Sequence, residues 1–445
     1  MSGLALPAAV GFVVALGLRL SLIADYGGNY SFDGFQRWAG RDHVLVQSWL
    51  PVTQSVIGGV AALGGGITDA RIAISVIGAL AAAAGVVLAG RMGGVVAAWA
   101  FLVPACYGPF VVWTAAPYQE GTFLLVLFAG LALALSDRWL AADLVIGLLG
   151  LVRYEGWPCV ALYVAWRRDP RALVALWGMA AWITARYGLD LAGFHASPAD
   201  FDDWEGMRGR TTPASWAEDA GRLFGHAWDS GGLAYCAAGA VGIATSWRRP
   251  GILLLVAIGF AQVAAVAGWL AGLEIATYRM LVVPVMLAGL LGAVGASTVW
   301  ARLPGRLRPG LVLLGALLIY LGVVDAWRGA RSESVRMAPE RKLLAEMLER
   351  PDCDWVIQPR TGLGTRQRHD GCEILQGLGD ARHGDGFWCA PWGPPPATER
   401  SCVADARWMD KRYVVAFRGA DGTAHAPIGS GPVAAPAGAA VEPGP

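Results

Sequence analysis

Charge is scarce in this chain. Only 16% of its 445 residues are Asp, Glu, Lys or Arg, while 55% are hydrophobic. A soluble protein of this size carries about a quarter of its residues as charges, so the composition argues against a water-exposed globule. Lysines are few, Lys342 and Lys411, and both lie near the C-terminal end. The chain also lacks a phosphate-cradling P-loop, an HExxH zinc helix and a nucleophile elbow. Those absences exclude the common nucleotide, zinc-protease and serine-hydrolase readings. The formal net charge of +1 gives no electrostatic footprint for nucleic acid, and the six histidines form no metal-type spacing. A cleavable signal peptide is missing too. Residues Leu4 to Ile23 are long enough to span a bilayer and have no clear small-residue cleavage site, so they read as a retained first helix.

What the chain does have is a succession of apolar runs up to about Trp327, each matching a hydrocarbon core about 30 Å thick. They place about eleven spans at roughly 4–24, 71–90, 93–112, 121–136, 139–152, 157–166, 172–187, 231–247, 251–270, 280–300 and 310–327. Many of the 20 tryptophans sit at run ends (Trp139, Trp157, Trp166, Trp247, Trp300, Trp327), where interfacial anchors belong. Arginine sets the orientation. Arg91, Arg138, Arg167, Arg168, Arg171, Arg248, Arg249, Arg302, Arg306 and Arg308 occupy alternate short connections. The positive-inside rule makes those connections cytoplasmic, with the amino terminus inside the cytoplasmic membrane. The apolar run Pro51 to Gly66 would reverse every later loop if it spanned, so it is laid on the outer surface as an interfacial helix.

The expected fold class is therefore an all-α polytopic membrane module over residues 1–330, with external loops at about 25–70 and 188–230. A small extracytoplasmic α/β domain follows over 331–420. A helix is expected from Pro339 to Leu348, and strands at Trp355–Gln358 and Tyr413–Phe417. Cys353, Cys372, Cys389 and Cys402 fall in this domain and suggest two disulfides, with three connectivities open. Residues 421–445, rich in Ala, Gly and Pro, read as a disordered tail.

Three short charged knots interrupt the apolar sequence, and the threading puts all three outside: Ser31–Trp38, Trp113–Glu120 and Arg153–Trp157. Ionisable groups are costly near a bilayer and mark functional sites there. Asp33 is either a general base or an N-cap for a helix beginning at Gly34. Glu120 either serves a site or stabilises the start of its span through the helix dipole. Arg153 and Arg279 are candidate phosphate ligands through paired guanidinium donors, and Arg153 with Glu155 is alternatively an interfacial ion pair. Tyr118 and Tyr154 stand in the same knots, and Arg37 is a candidate for phosphate or lipid headgroups.

With their order and common side, these knots resemble the GT-C-fold glycosyltransferases, polytopic enzymes that use lipid-phosphate-linked sugars. The similarity is greatest to the protein O-mannosyltransferase/aminoarabinose transferase group and to the mannosyltransferases of glycolipid-anchor synthesis. The resemblance implies an acidic residue in the first external loop, matched by Asp33, and a surface helix opened by proline, matched by Pro51. It also implies an acidic motif at the fourth helix, matched by Pro117-Tyr118-Gln119-Glu120, and a basic residue at the outer end of the fifth, matched by Arg153. Tyr278-Arg279 is similar to a later phosphate-side arginine. The chain departs from the pattern where Gly34 replaces the second of two neighbouring carboxylates. The implied function is transfer of a sugar from a polyprenyl-phosphate donor to a hydroxyl or amine of a glycan, lipid or protein. It would occur at the outer face with inversion, Asp33 acting as base. The resemblance fixes no cofactor and leaves a divalent metal, Mg or Mn, open. A transporter or lipid flippase and a noncatalytic assembly protein are the competing readings.

Overall fold

The computed structural model describes residues 2–26, 37–38, 50–191, 213–249, 251–273 and 278–336. Beyond them it describes short strand segments between 354 and 425. The chain divides into two compact units, Met1–Asn29 with Arg41–Ser332, and Tyr30–Gly40 with Glu333–Pro445.

The first unit is helical. Its elements are α1 (Ser2–Asp25), α2 (Pro51–Ala62), α3 (Ile67–Gly93) and three short pieces, α4 (Val95–Ala100), α5 (Leu102–Ala105) and α6 (Gly108–Trp113). There follow α7 (Glu120–Ala134), α8 (Trp139–Gly147) with a 3-10 extension Leu148–Leu151, α9 (Gly156–Arg167) and α10 (Trp177–Leu191). The unit closes with α11 (Pro213–Asp229), α12 (Gly232–Ser246), α13 (Ile252–Leu273), α14 (Val282–Arg302), preceded by a 3-10 turn Tyr278–Leu281, and α15 (Arg308–Arg336). Proline opens α2 at its first turn, where a missing N–H costs nothing. The N–H of Gly66 donates to Asp69 Oδ2 at 2.7 Å, capping α3. Gly94, at φ +80°, ends α3 and begins α4 in a backbone region that L side chains rarely adopt.

Among the described residues, four helices are long and apolar enough to cross a membrane: Gly3–Asp25, Ile67–Gly93, Arg279–Arg302 and Gly305–Ser332. Five shorter apolar helices, among them Glu120–Ala134, Trp139–Leu151 and Ile252–Gly268, lie between them in sequence. The run beginning at Pro51 is helical, as expected.

The end of the bundle where α1 finishes is here termed upper. Arg71, near the start of α3, donates to Tyr26 O there, and Trp327 of α15 donates to Asp25 Oδ2 at 2.8 Å. Arginines gather at the lower end. Arg249 Nη1 donates to Met92 O at 2.9 Å, and Arg167 stacks over Trp139 at 3.8 Å. There too, the Tyr163 hydroxyl donates to the buried Asp143 at 2.6 Å.

Packing is closest between α12 and α14. A Cβ added at Gly242 would run into the Leu291 carbonyl, and one at Gly239 would stand 2.9 Å from Ala288 O. Small residues thus let two backbones touch, the usual device where lipid gives no hydrophobic drive between helices. Gly242→Val is expected to destabilise the bundle by about 1–3 kcal/mol through overpacking. Gly259→Val on α13, where an added Cβ meets nothing within 4 Å, should be near neutral. Thermal melts in one detergent compare the two, and equal melting points would refute the close approach.

The second unit contains a sheet centred on β1 (Asp354–Pro359). It pairs in parallel with β2 (Phe387–Cys389) and with β3 (Ser401–Ala404), and antiparallel with β5 (Lys411–Val414), which pairs β4 (Arg407–Trp408). A separate ladder joins β6 (Phe417–Arg418) to β7 (Ala424–His425). β2 and β3 both pair with residues Trp355 to Ile357 and so flank opposite edges of β1. Cys389 stands opposite Ile357 and Cys402 opposite Trp355. Two strand spacings and a two-residue offset along the strand separate their Cα atoms by roughly 11–12 Å, beyond the reach of a disulfide at about 7 Å. That removes the connectivity pairing Cys389 with Cys402. Cys353, Cys372 and the helix expected at Pro339–Leu348 lie outside the described residues.

Candidate functional site

The turn between α6 and α7 is held from behind by two fully buried arginines. Arg19 Nε donates to Thr114 Oγ1 at 2.7 Å, its Nη1 to Ala15 O at 2.7 Å, and its guanidinium lies 4.7 Å over the Phe110 ring. Arg71 Nε donates to Ala115 O at 3.0 Å. Charges in an apolar bundle persist only when partners satisfy them, and here they fix the backbone that presents Tyr118 and Glu120.

Glu120 is the first residue of α7 and is 1% exposed. Its Oε1 accepts from Arg153 Nη1 at 2.7 Å and stands 3.5 Å from Arg279 Nε. Arg153 grips Glu155 with both remaining edges, Nη2 to Oε1 at 2.8 Å and Nε to Oε2 at 3.2 Å. Arg279, in the 3-10 turn before α14, lies 4.4 Å over the Tyr118 ring, and that ring meets Trp113 edge-on at 5.2 Å. Gln262 of α13 donates to Glu155 O at 2.8 Å and to Cys159 Sγ at 3.2 Å. Four segments far apart in sequence therefore meet in one charged cluster.

Burial works against the ionised carboxylate of Glu155, but the charge of Arg153 and its hydrogen bonds outweigh it, holding the group down at about 2. Glu120 Oε2 is buried with no hydrogen-bond partner among the described residues. Leaving such an oxygen unsatisfied costs about 1–3 kcal/mol, more for a charged group, so a bound donor group is favoured there. Arg153 has most of its N–H groups committed to the two carboxylates. Of the two arginines Arg279 is the more exposed, its side chain 16% against 9% for Arg153.

The cluster sits deep. Gln262 is ten residues into α13, about 15 Å above its lower end, and α9 below Glu155 has 12 residues, about 18 Å. α13 has 22 residues and α3 has 27. Short α7, α8 and α9 thus form the floor of a recess walled by longer helices.

Of the residues singled out in sequence, Tyr118, Glu120, Arg153, Glu155 and Arg279 are brought together. Tyr154 is 43% exposed and stacks edge-on against Trp157 at 5.6 Å. Arg37 is 2% exposed and belongs to the second unit. Asp33 lies outside the described residues. Sequence reading missed Arg19 and Gln262. Their signal was a lone polar residue inside an otherwise apolar span, which in lipid needs a reason.

Among the described residues, no group of three or more His, Cys, Asp or Glu side chains converges as a metal site. The free oxygen of Glu120, with Arg153 and Arg279 beside it, does not fit Mg or Mn, which want several oxygen ligands and no neighbouring cations.

No family model and no curated protein matches the chain. Among solved structures it is similar to ArnT from Cupriavidus metallidurans bound to undecaprenyl phosphate. Identity is 14% and the TM-score 0.55, over 86% of this chain and 85% of that one. Agreement over that share of both chains shows that this chain has the same fold, the GT-C fold expected from its sequence.

Proposed function

We propose that this protein is a membrane glycosyltransferase that moves a sugar from a polyprenyl phosphate to an acceptor hydroxyl or amine at the outer face. The observation that carries the reading is the Glu120–Arg153–Glu155–Arg279 cluster at the floor of a recess, within a GT-C fold. A departing phosphate is stable as an anion, so the reaction needs little general-acid help. It needs cations at the leaving group and a base at the acceptor. Arg279 is the phosphate ligand in this reading, because it is the more exposed of the two arginines. The free oxygen of Glu120 receives a hydrogen bond from the acceptor or from the sugar.

Asp33 is the proposed base, removing the acceptor proton as the acceptor displaces phosphate with inversion. The mechanism involves no metal step. The arginine-rich lower end is cytoplasmic by the positive-inside rule, which places the recess and the C-terminal domain outside, in a multi-pass cytoplasmic-membrane protein. In this reading residues 1–330 form the catalytic module and residues 331–420 an exported domain for acceptor recognition.

Asp33→Asn tests the reading. Purified protein should bind undecaprenyl phosphate with unchanged affinity while transfer from an undecaprenyl-phosphate sugar falls by about 10²-fold or more. Intact transfer in this variant removes Asp33 from the mechanism. Failure of the unaltered protein to bind the lipid phosphate or turn over any such donor favours a transporter or scaffold instead.

A further inference from the structure

A second feature lies along α15. α15 packs on the α4–α6 segments through glycines seven residues apart. Added Cβ atoms at Gly315 and Gly329 would stand 3.6 Å from Val103 and Val112, and one at Gly322 would run into the Cys106 carbonyl. Below Gly322 the helix leaves a groove of about 640 Å³ between itself, α12 and α14. Its walls are apolar, with small residues such as Gly289, Gly292 and Ala296 on one side and Leu311 and Leu318 on the other.

From Gly289 to Trp300, both lining residues, α14 rises about 16 Å, roughly half of a 30 Å hydrocarbon core. A flexible hydrocarbon chain one leaflet long matches that length, and the charge at the mouth decides which occupant it is.

The mouth adds charge. Trp300 lines the lower end of the groove, and the Arg308 guanidinium lies 5.4 Å over its ring. Arg308 Nε is buried with no hydrogen-bond partner among the described residues. Arg302 and Arg306 are exposed on the same connection. A polyprenyl phosphate is the wrong occupant, because its chain is several leaflets long and its phosphate belongs at the upper cluster.

We infer that this groove is a binding site for an anionic phospholipid of the lower leaflet. One acyl chain lies along α14 and α15, and the phosphate sits on Arg308, Arg302 and Arg306. Basic pockets between helices at that leaflet suit acidic head groups, and the phosphate would complete the buried Nε of Arg308.

Native mass spectrometry of the delipidated full chain, titrated with phosphatidylglycerol or phosphatidylethanolamine, tests this. One phosphatidylglycerol should bind in preference. Arg308→Gln should weaken it by about fivefold without affecting phosphatidylethanolamine. Ala296→Phe, which fills the groove, should remove the site for both lipids, and donor binding at the upper cluster reports that each variant is folded. Equal uptake of the two lipids, binding unaffected by both substitutions, or a dimer that Ala296→Phe dissolves would each overturn the inference.

Discussion

Glu120→Gln is expected to lower the rate of sugar transfer by about 10²–10⁴-fold while leaving the bundle folded. The amide is isosteric, and Arg153 keeps its two bonds to Glu155. What disappears is a buried carboxylate that accepts Arg153 at 2.7 Å, stands 3.5 Å from Arg279 and offers one unfilled oxygen. Arg279 then loses the anion that holds it over Tyr118. Transfer should fail at saturating donor, because the lost interaction serves the reacting centre more than donor binding. Initial rates in proteoliposomes across a range of undecaprenyl-phosphate sugar concentrations measure this. A change of less than threefold at saturation would remove Glu120 from the site.

Arg153→Met should be the most damaging single substitution for the fold. It leaves Glu120 and Glu155 facing each other in a buried setting without the guanidinium that neutralises both. Removing one partner of a buried ion pair typically costs about 3–5 kcal/mol, because the remaining charge stays desolvated. Combining it with Glu155→Gln should restore part of the loss, since one orphaned charge is then removed. Chemical unfolding in detergent of the single and double variants closes the cycle. Simple additivity of the two changes would show that Arg153 and Glu155 do not act as a pair. Arg153→Lys should rescue only partly, as an ammonium cannot hold Glu155 through two parallel bonds and reach Glu120 as well.

Much of this was legible along the chain, for local reasons. Apolar runs bounded by arginine or tryptophan marked the helices. Pro51 marked the start of α2 and the knot at Glu120 the start of α7, because lipid forces backbone satisfaction within each segment. The charged knots stood out because ionisable residues are rare in such sequence, and five of the residues chosen there converge. The depth of the cluster was not legible. Arg153 reads as a helix-end residue at an interface, yet the shortness of α7 to α9 beside α13 sinks it about halfway along its neighbour. Gln262 and Arg19 were missed because one polar residue leaves the hydropathy of a whole span almost unchanged. Only the fold shows that one meets Glu155 and the other braces Thr114. The resemblance to GT-C enzymes rested on motif order alone, and the shared fold over most of both chains gave it substance.

The sequence by itself determined that this is a membrane protein, where its helices run, and which charges are too costly to be incidental. Hydropathy and charge act residue by residue, so they can be summed along a line. Which guanidinium meets which carboxylate was decided only by the tertiary structure. So was which of them remains open to a ligand, and so was the groove that α15 leaves beside α14. Those outcomes depend on the lengths and contacts of helices distant in the chain, and no local pattern encodes such differences.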